Sequence, residues 1–127
     1  MVALGTEVPV PGGESAGEHG IHVSTAADVR HTLDVSREAL ATAGVPGVWD
    51  RVRAVVAQPG VEFSHAELFE YHPGQAAHLA ACLLPGLVFE AHSTDYQTRA
   101  ALSALVTDRF AVLKVGPGLT FAYREAL

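Results

Sequence analysis

Four short apolar runs divide the chain, and each ends at a glycine, a proline or a polar turn. They cover residues 2–8, 53–58, 87–92 and 111–115. Runs of this length that are rich in Val, Leu and Phe and bounded by turn residues are typical of buried strands. The pattern therefore predicts four β-strands.

Between these runs, most of the sequence has apolar residues at the spacing of an α-helix. Thr25 is suited to cap a helix, with Asp28 as the acidic partner of a capping box, and the pattern continues past Leu40 to Gly44. Three further helices are predicted at residues 73–84, 98–108 and 119–127, with Pro73, Thr98 and Thr120 near their starts. Strands that alternate with helices form a parallel sheet with right-handed crossovers. Residues 9–20 are too rich in Pro and Gly for an element and are predicted to form a long loop.

The alternation of side chains along the strands separates two kinds of α/β fold. In the third strand Leu87, Phe89 and Ala91 share one face, whereas Glu90 and His92 share the other. In all four strands one face is apolar and the other becomes polar only towards the carboxyl end, with Glu7, Gln58, Glu90, His92 and Lys114 as its polar members.

An open doubly wound sheet is covered by helices on both faces and would be apolar throughout. Polar residues at the carboxyl ends of the strands are instead typical of a (β/α) barrel, whose active site lies at that end. A whole barrel needs about 250 residues, and this chain has 127. We therefore predict an α/β fold of the TIM type, with residues 1–127 forming a single partial domain, a four-stranded half barrel. The alternative that Glu90, His92 and Lys114 form a purely structural ion-pair network stays open.

Composition and charge indicate which partners the protein is expected to bind and in which compartment it is expected to lie. Eight Lys and Arg against fourteen Asp and Glu give a net charge of −6, so we expect neither a nucleic-acid partner nor an anionic membrane partner. The single cysteine, Cys82, excludes an internal disulfide and is expected to be a buried small side chain. Because no apolar run reaches the ~20 residues of a membrane span, we expect a soluble, cytoplasmic protein.

Several longer motifs together resemble one known family. They are GTEVPVPGGE at residues 5–14, QPGVEF at 58–63, FEAHSTDYQT at 89–98, and LKVGP at 113–117, which continues to TFA at 120–122 and REAL at 124–127. In this order they resemble the non-catalytic subunit of class II D-tagatose-1,6-bisphosphate aldolase, formerly described as tagatose 6-phosphate kinase. The resemblance covers most of the chain.

The resemblance implies a TIM-type barrel of which this chain supplies strands 5–8. The chain is then expected to be a fragment of an accessory subunit that supports the activity and stability of a catalytic class II aldolase subunit in sugar-phosphate catabolism. One alternative is a metal-dependent ketohexose-phosphate 4-epimerase or aldolase that a missing half completes. A third interpretation is an inert truncated reading frame. Because half a barrel exposes unpaired edge strands and apolar surface, we also expect self-association.

The polar set supplies candidates for each chemical role. Glu7, Glu90 and Lys114 are candidate catalytic residues, because both aldol cleavage and epimerisation need a base at a hydroxyl and an electrophile at a carbonyl oxygen. His92 is the candidate metal ligand, for zinc or manganese in the intact protein, while no cofactor is expected for this part alone.

Two further pairs of residues are candidates for ligand contacts. Gln58 and Asp95 are predicted to contact a sugar-phosphate substrate. Gly116 and Gly118 are predicted to bind its phosphate, because glycine allows close approach and free amides at a helix start attract an anion. A tight turn without any ligand is the alternative for this segment.

Overall fold

A computed structural model describes residues 1–5, 21–63 and 67–127 of the chain. Along these residues the elements are β1 (Val2–Leu4), α1 (Ala26–Thr42), a 3₁₀ helix (Pro46–Arg51), β2 (Val52–Val56), β3 (Glu62–Phe63), β4 (Leu68–Phe69), α2 (Ala77–Ala80), β5 (Val88–Ala91), α3 (Arg99–Thr107), β6 (Phe110–Leu113) and α4 (Pro117–Glu125). None of the helices found there is long and apolar enough to span a bilayer.

The centre of the structure is a parallel four-stranded sheet in the order β1-β2-β5-β6. This confirms the predicted four parallel strands in sequential order. The strands are shorter than their predicted runs, and residues 6–8 of the first run lie outside the described residues, as does the predicted loop at 9–20. β3 and β4 form a separate antiparallel hairpin of two-residue strands, which the sequence pattern did not predict.

Helix α1 forms as the local signals predict. The backbone amide of Asp28 donates to the Thr25 hydroxyl oxygen at 3.2 Å, and the Thr25 amide donates to the Asp28 carboxylate at 2.7 Å, which completes the capping box. These hydrogen bonds from Thr25 hold the pKa of Asp28 below its ordinary value. Gly44, at φ +73, follows the helix end in the left-handed conformation that glycine adopts without strain.

Helix α2 is much shorter than the predicted helix at residues 73–84. The turn before it is held by side chains instead: the Gly74 amide donates to the Asp108 carboxylate at 3.0 Å, and the Ala76 amide donates to the Tyr71 hydroxyl oxygen at 3.2 Å. The Tyr71 hydroxyl in turn donates to Asp108, and burial together with this bond raises the Tyr71 pKa far above its usual range. These contacts fix the turn in a non-helical conformation.

Helix α4 begins at Pro117, two residues before the predicted start at Leu119. Gly116 is the N-cap, and proline is favoured at the first helical position because it has no amide hydrogen to leave unpaired. Helix α3, by contrast, is capped by Thr98 as predicted, whose hydroxyl oxygen accepts from the Ala101 amide at 3.2 Å.

The hydrophobic core lies between one face of the sheet and the helices. Phe89, fully buried on β5, packs against Phe110 of β6 with ring centroids 5.0 Å apart. Leu4, Val55, Ala57 and Ala91, which were all predicted for the apolar face, also lie in this core, and so does Val52 at the start of β2. On β5 the predicted alternation is therefore confirmed, and Glu90 occupies the opposite face.

Truncating the central ring tests this packing. Phe89→Ala should lower the free energy of unfolding by about 3–5 kcal/mol, because it removes a fully buried ring and leaves a cavity. Urea unfolding followed by circular dichroism measures the change. The control is Val106→Ala, a truncation of an α3 side chain that is 55% exposed, which should change stability by no more than about 0.5 kcal/mol. Equal losses for both variants would contradict the assignment of the core.

Candidate functional site

Three of the predicted site residues meet at one carboxylate oxygen. Glu90 Oε1 lies 2.8 Å from His92 Nε2 and 2.8 Å from Lys114 Nζ. Glu90 and His92 share a face of the strand because they are two residues apart. Lys114 directly follows β6, and its backbone amide donates to the Ala91 carbonyl at 2.9 Å, which aligns it with the end of β5.

The environment of Glu90 determines its charge. Its side chain is only 4% exposed, and this burial raises the pKa, but hydrogen bonds and charge interactions with Lys114 and His92 outweigh burial and hold the pKa below the ordinary value of 4.5. Glu90 is therefore an ionised carboxylate at neutral pH. Lys114 is 57% exposed, so the cluster joins a buried anion to a solvent-facing cation.

This arrangement can exchange protons and attract an anionic ligand. A carboxylate and an imidazole are side chains of the types that act as general bases in enzymes, and the exposed Lys114 ammonium can contact a phosphate or a polarised oxygen. The same contacts are also those of a structural ion-pair network, so geometry alone leaves both interpretations in place. Glu7, the third candidate catalytic residue, lies outside the described residues.

The cluster does not have the donor set of a metal centre. His92 offers one imidazole nitrogen, and the nearest carboxylate oxygen already holds the Lys114 ammonium. Among residues 1–5, 21–63 and 67–127, no group of three or more His, Cys, Asp or Glu side chains could hold a metal ion. The part of the chain described therefore does not fit a zinc or manganese site on its own.

Gln58 shapes the loop that follows β2. Its side-chain oxygen accepts from the amides of Gly60 at 2.9 Å and Val61 at 3.0 Å. Its backbone amide donates to the Ser24 hydroxyl oxygen at 2.8 Å. The side-chain oxygen of Gln58 is thus engaged within its own loop, and the predicted contact with substrate stays a prediction.

Asp95 occupies the amides that the sequence assigned to phosphate. Its buried carboxylate accepts from the Gly116 amide at 2.9 Å and from the Gly118 amide at 2.7 Å. A Cβ atom at Gly118 would lie 2.9 Å from Asp95 Oδ1, which explains the need for glycine there. The premise of free amides at Gly116 and Gly118 is therefore wrong. Phosphate binding at this turn stays a prediction that would require Asp95 to move.

Two buried polar residues that the sequence analysis missed also hold this edge together. Thr94 donates to the Lys114 carbonyl oxygen through both its amide, at 3.1 Å, and its hydroxyl, at 2.9 Å. Gln97 accepts from the Tyr71 amide at 2.9 Å and donates to the Phe69 carbonyl at 3.0 Å. The available signal was a run of polar residues directly after a buried strand, where each must find a partner if it is buried.

Removing the ammonium tests the electrostatics of the cluster. Lys114→Met should destabilise the chain by roughly 1–2 kcal/mol at pH 7, because it leaves a buried carboxylate with one partner fewer. The folded pKa of Glu90 is lowered, so the contribution of the pair is complete above 4.5 and is lost as pH falls through the folded pKa.

The difference between Lys114→Met and the unchanged chain should therefore be largest near pH 7 and shrink below pH 4.5 in urea unfolding. Arg99→Met, which removes the same charge from the exposed first turn of α3, is the control and should show little change at either pH. A stability loss for Lys114→Met that does not depend on pH would contradict the ion pair.

Comparison with known proteins places the chain among relatives of one kind. A family model described as "D-tagatose-1,6-bisphosphate aldolase subunit GatZ/KbaZ-like" matches residues 1–127. A D-tagatose-1,6-bisphosphate aldolase subunit GatZ from Klebsiella pneumoniae is 51% identical over 125 residues, which are 98% of this chain and 30% of that protein. The corresponding subunit from Salmonella newport is 50% identical over 125 residues, which are again 98% of this chain and 30% of that protein.

A solved structure gives the same result for the fold. The crystal structure of a probable tagatose 6 phosphate kinase from Sinorhizobium meliloti 1021 matches with a TM-score of 0.80 and 46% identity, over 98% of this chain and 29% of that one. The parallel four-stranded sheet with its helices fits a partial α/β barrel, as predicted. The chain spans 30% of the length of the curated relatives quoted above. Because the family model matches every residue, the chain belongs to the GatZ/KbaZ-like family of D-tagatose-1,6-bisphosphate aldolase subunits.

Proposed function

We propose that this chain is part of an accessory subunit that supports the activity and stability of a catalytic class II D-tagatose-1,6-bisphosphate aldolase subunit. The observation that carries the proposal is the family match over residues 1–127, with relatives named as subunits of that aldolase. We place the protein in the cytoplasm. Its single cysteine, Cys82, has no partner within the chain for a disulfide, as is typical of proteins from a reducing compartment.

The surface of α4 supports an assembly role. Leu119, Phe121 and Tyr123 are 64%, 51% and 67% exposed, and no residue of this helix is buried. Burying side chains of this size against a partner is favourable, because it removes apolar surface from water. We propose that the catalytic subunit covers this helix in the assembly and that the isolated chain covers it by self-association.

Self-association of the isolated chain is the first testable consequence. Sedimentation velocity at micromolar concentration should show oligomers, and Phe121→Glu should shift the distribution towards monomer because it places a charge within the apolar surface. Ala100→Glu adds the same charge at an exposed alanine of α3, outside this helix, and is the control. A monodisperse monomer for the unchanged chain would contradict the proposal.

Assembly with the catalytic subunit is tested directly by mixing. The catalytic aldolase subunit should lose activity more slowly at elevated temperature, and should cleave D-tagatose-1,6-bisphosphate faster, when this chain is present. The Phe121→Glu chain should give less of both effects than the Ala100→Glu chain. Identical rates of inactivation and of cleavage with and without the chain would contradict the accessory function.

A second candidate function is favoured by the cluster at Glu90. A carboxylate held ionised beside an imidazole and an ammonium fits proton transfer on a ketohexose phosphate, as a 4-epimerase or an aldolase completed by further chain would require. Glu90→Gln separates the two functions. As an accessory subunit the variant should still support its partner, whereas as an enzyme the full-length protein should lose turnover of tagatose 6-phosphate.

A further inference from the structure

The backbone of Lys114 is tied to the preceding strand and loop on both of its sides. Its amide donates to the Ala91 carbonyl at 2.9 Å, and its carbonyl oxygen accepts two hydrogen bonds from Thr94, at 3.1 and 2.9 Å. Just beyond it, the Asp95 carboxylate accepts from Gly116 and Gly118. The chain from Lys114 to Gly118 is therefore held at successive points by two adjacent residues, Thr94 and Asp95, which we call the Thr94–Asp95 clamp.

The clamp is buried and is flanked by unfavourable backbone. Thr94 is 1% exposed and Asp95 is 3% exposed. On either side of them, Ser93 has φ 55 and Tyr96 has φ 62, values in the left-handed region that cost free energy for residues other than glycine. Strain of this kind persists only where surrounding contacts determine the conformation, and here the hydrogen bonds of the clamp supply those contacts.

The contact between Lys114 and Glu90 depends on a fixed backbone at Lys114. Its side chain is 57% exposed, long and flexible, yet its Nζ lies 2.8 Å from Glu90 Oε1. An exposed lysine loses rotamer freedom when it is held in one geometry, so its contact with Glu90 is maintained best when the backbone from which it extends is fixed. The clamp fixes that backbone.

We propose that Thr94 and Asp95 are positioning residues that act through Lys114 to hold its ammonium against Glu90. Asp95 then shapes the site from within and does not contact the substrate. The inference deepens the second candidate function, since it rests on treating the Glu90 cluster as the site. Reacting groups must be placed to within fractions of an ångström, which is what a clamp on the backbone provides.

The sequence provides a selective probe, because Lys114 is the only lysine in the chain. Lysine labelled with ¹³C at Cε therefore gives one methylene signal, and NMR relaxation of that signal reports how tightly the side chain is held. In the unchanged chain the two Hε protons should be resolved and the Cε motion restricted. Glu90→Gln, which removes the charged partner, should merge the Hε signals and increase the Cε motion, and it serves as the reference for a released lysine.

Thr94→Val and Asp95→Ala should both move the Lys114 signal towards that released reference. Thr94→Val keeps the shape of the side chain and removes only the hydroxyl donor, so it decides the question even where Asp95→Ala does not fold. The matched control is Asp108→Asn. Asp108 is a second carboxylate that accepts hydrogen bonds from a distant turn, at Tyr71 and Gly74, so the variant should lower stability without changing the Lys114 signal.

The outcomes separate the possible roles. An unchanged Lys114 signal in folded Thr94→Val overturns the proposal, and so does an equal change in Asp108→Asn, which would mean general loosening of the fold. The measurement needs neither substrate nor partner. A released lysine in Thr94→Val together with unchanged turnover of tagatose 6-phosphate by the full-length variant would therefore retain the positioning role and reject proton transfer at the Glu90 cluster. An unchanged lysine signal together with lost turnover would reject the positioning role and retain proton transfer.

Discussion

Alternate residues of β5 lie in an apolar core on one face of the sheet and in an ion-pair cluster on the other. The neighbouring elements are placed so that both environments are maintained. Phe89 and Ala91 are fully buried against the helices, while Glu90 between them is 3% exposed on the other face. A shift of one residue would place a carboxylate in the apolar core and a phenyl ring beside a cation. A buried carboxylate costs several kcal/mol unless it is paired. The fold therefore has to bring His92 and Lys114 to Glu90.

Strand β6 meets both requirements through an irregular register. Phe89 pairs with Phe110, but Glu90 pairs with Val112, so Ala111 is skipped between them. The skipped residue lets Phe110 join the core on one face while Val112 and Lys114 lie on the face of Glu90. Without it, regular alternation would place Phe110 and Lys114 on the same face. The irregularity thus reconciles the core with the ion pair.

The features that the sequence predicted are those set by short-range rules. The α1 capping box joins residues three apart, and the faces of β5 follow from strict alternation, so both could be read from the pattern. That alternation also placed Glu90, His92 and Lys114 together, because parallel strands end at one edge of a sheet. The family resemblance then added the expectation of an accessory role, which the alternation and the chain length alone could not indicate.

What the sequence did not reveal depends on contacts between distant residues. Asp95 reaches Gly116 and Gly118 across 21 and 23 positions, and Tyr71 reaches Asp108 across 37. Propensity describes a residue among its neighbours, so Pro73 indicated a helix where the Tyr71–Asp108 contact imposes a turn. The hairpin strands β3 and β4 contain two residues each, which is too short for any periodicity.

The hairpin is joined to the loop after β5 largely through side chains. Gln97 contacts the Tyr71 amide and the Phe69 carbonyl with its own amide group, as a neighbouring strand would do with its backbone, and Phe63 meets Tyr96 ring edge to ring face. Such an attachment adds no backbone ladder to the parallel sheet. At its base the hairpin is anchored by Val61 and Tyr71, which are buried in the core. A substitution at Gln97 would therefore loosen the strands of the hairpin without removing a hydrogen bond of the parallel sheet.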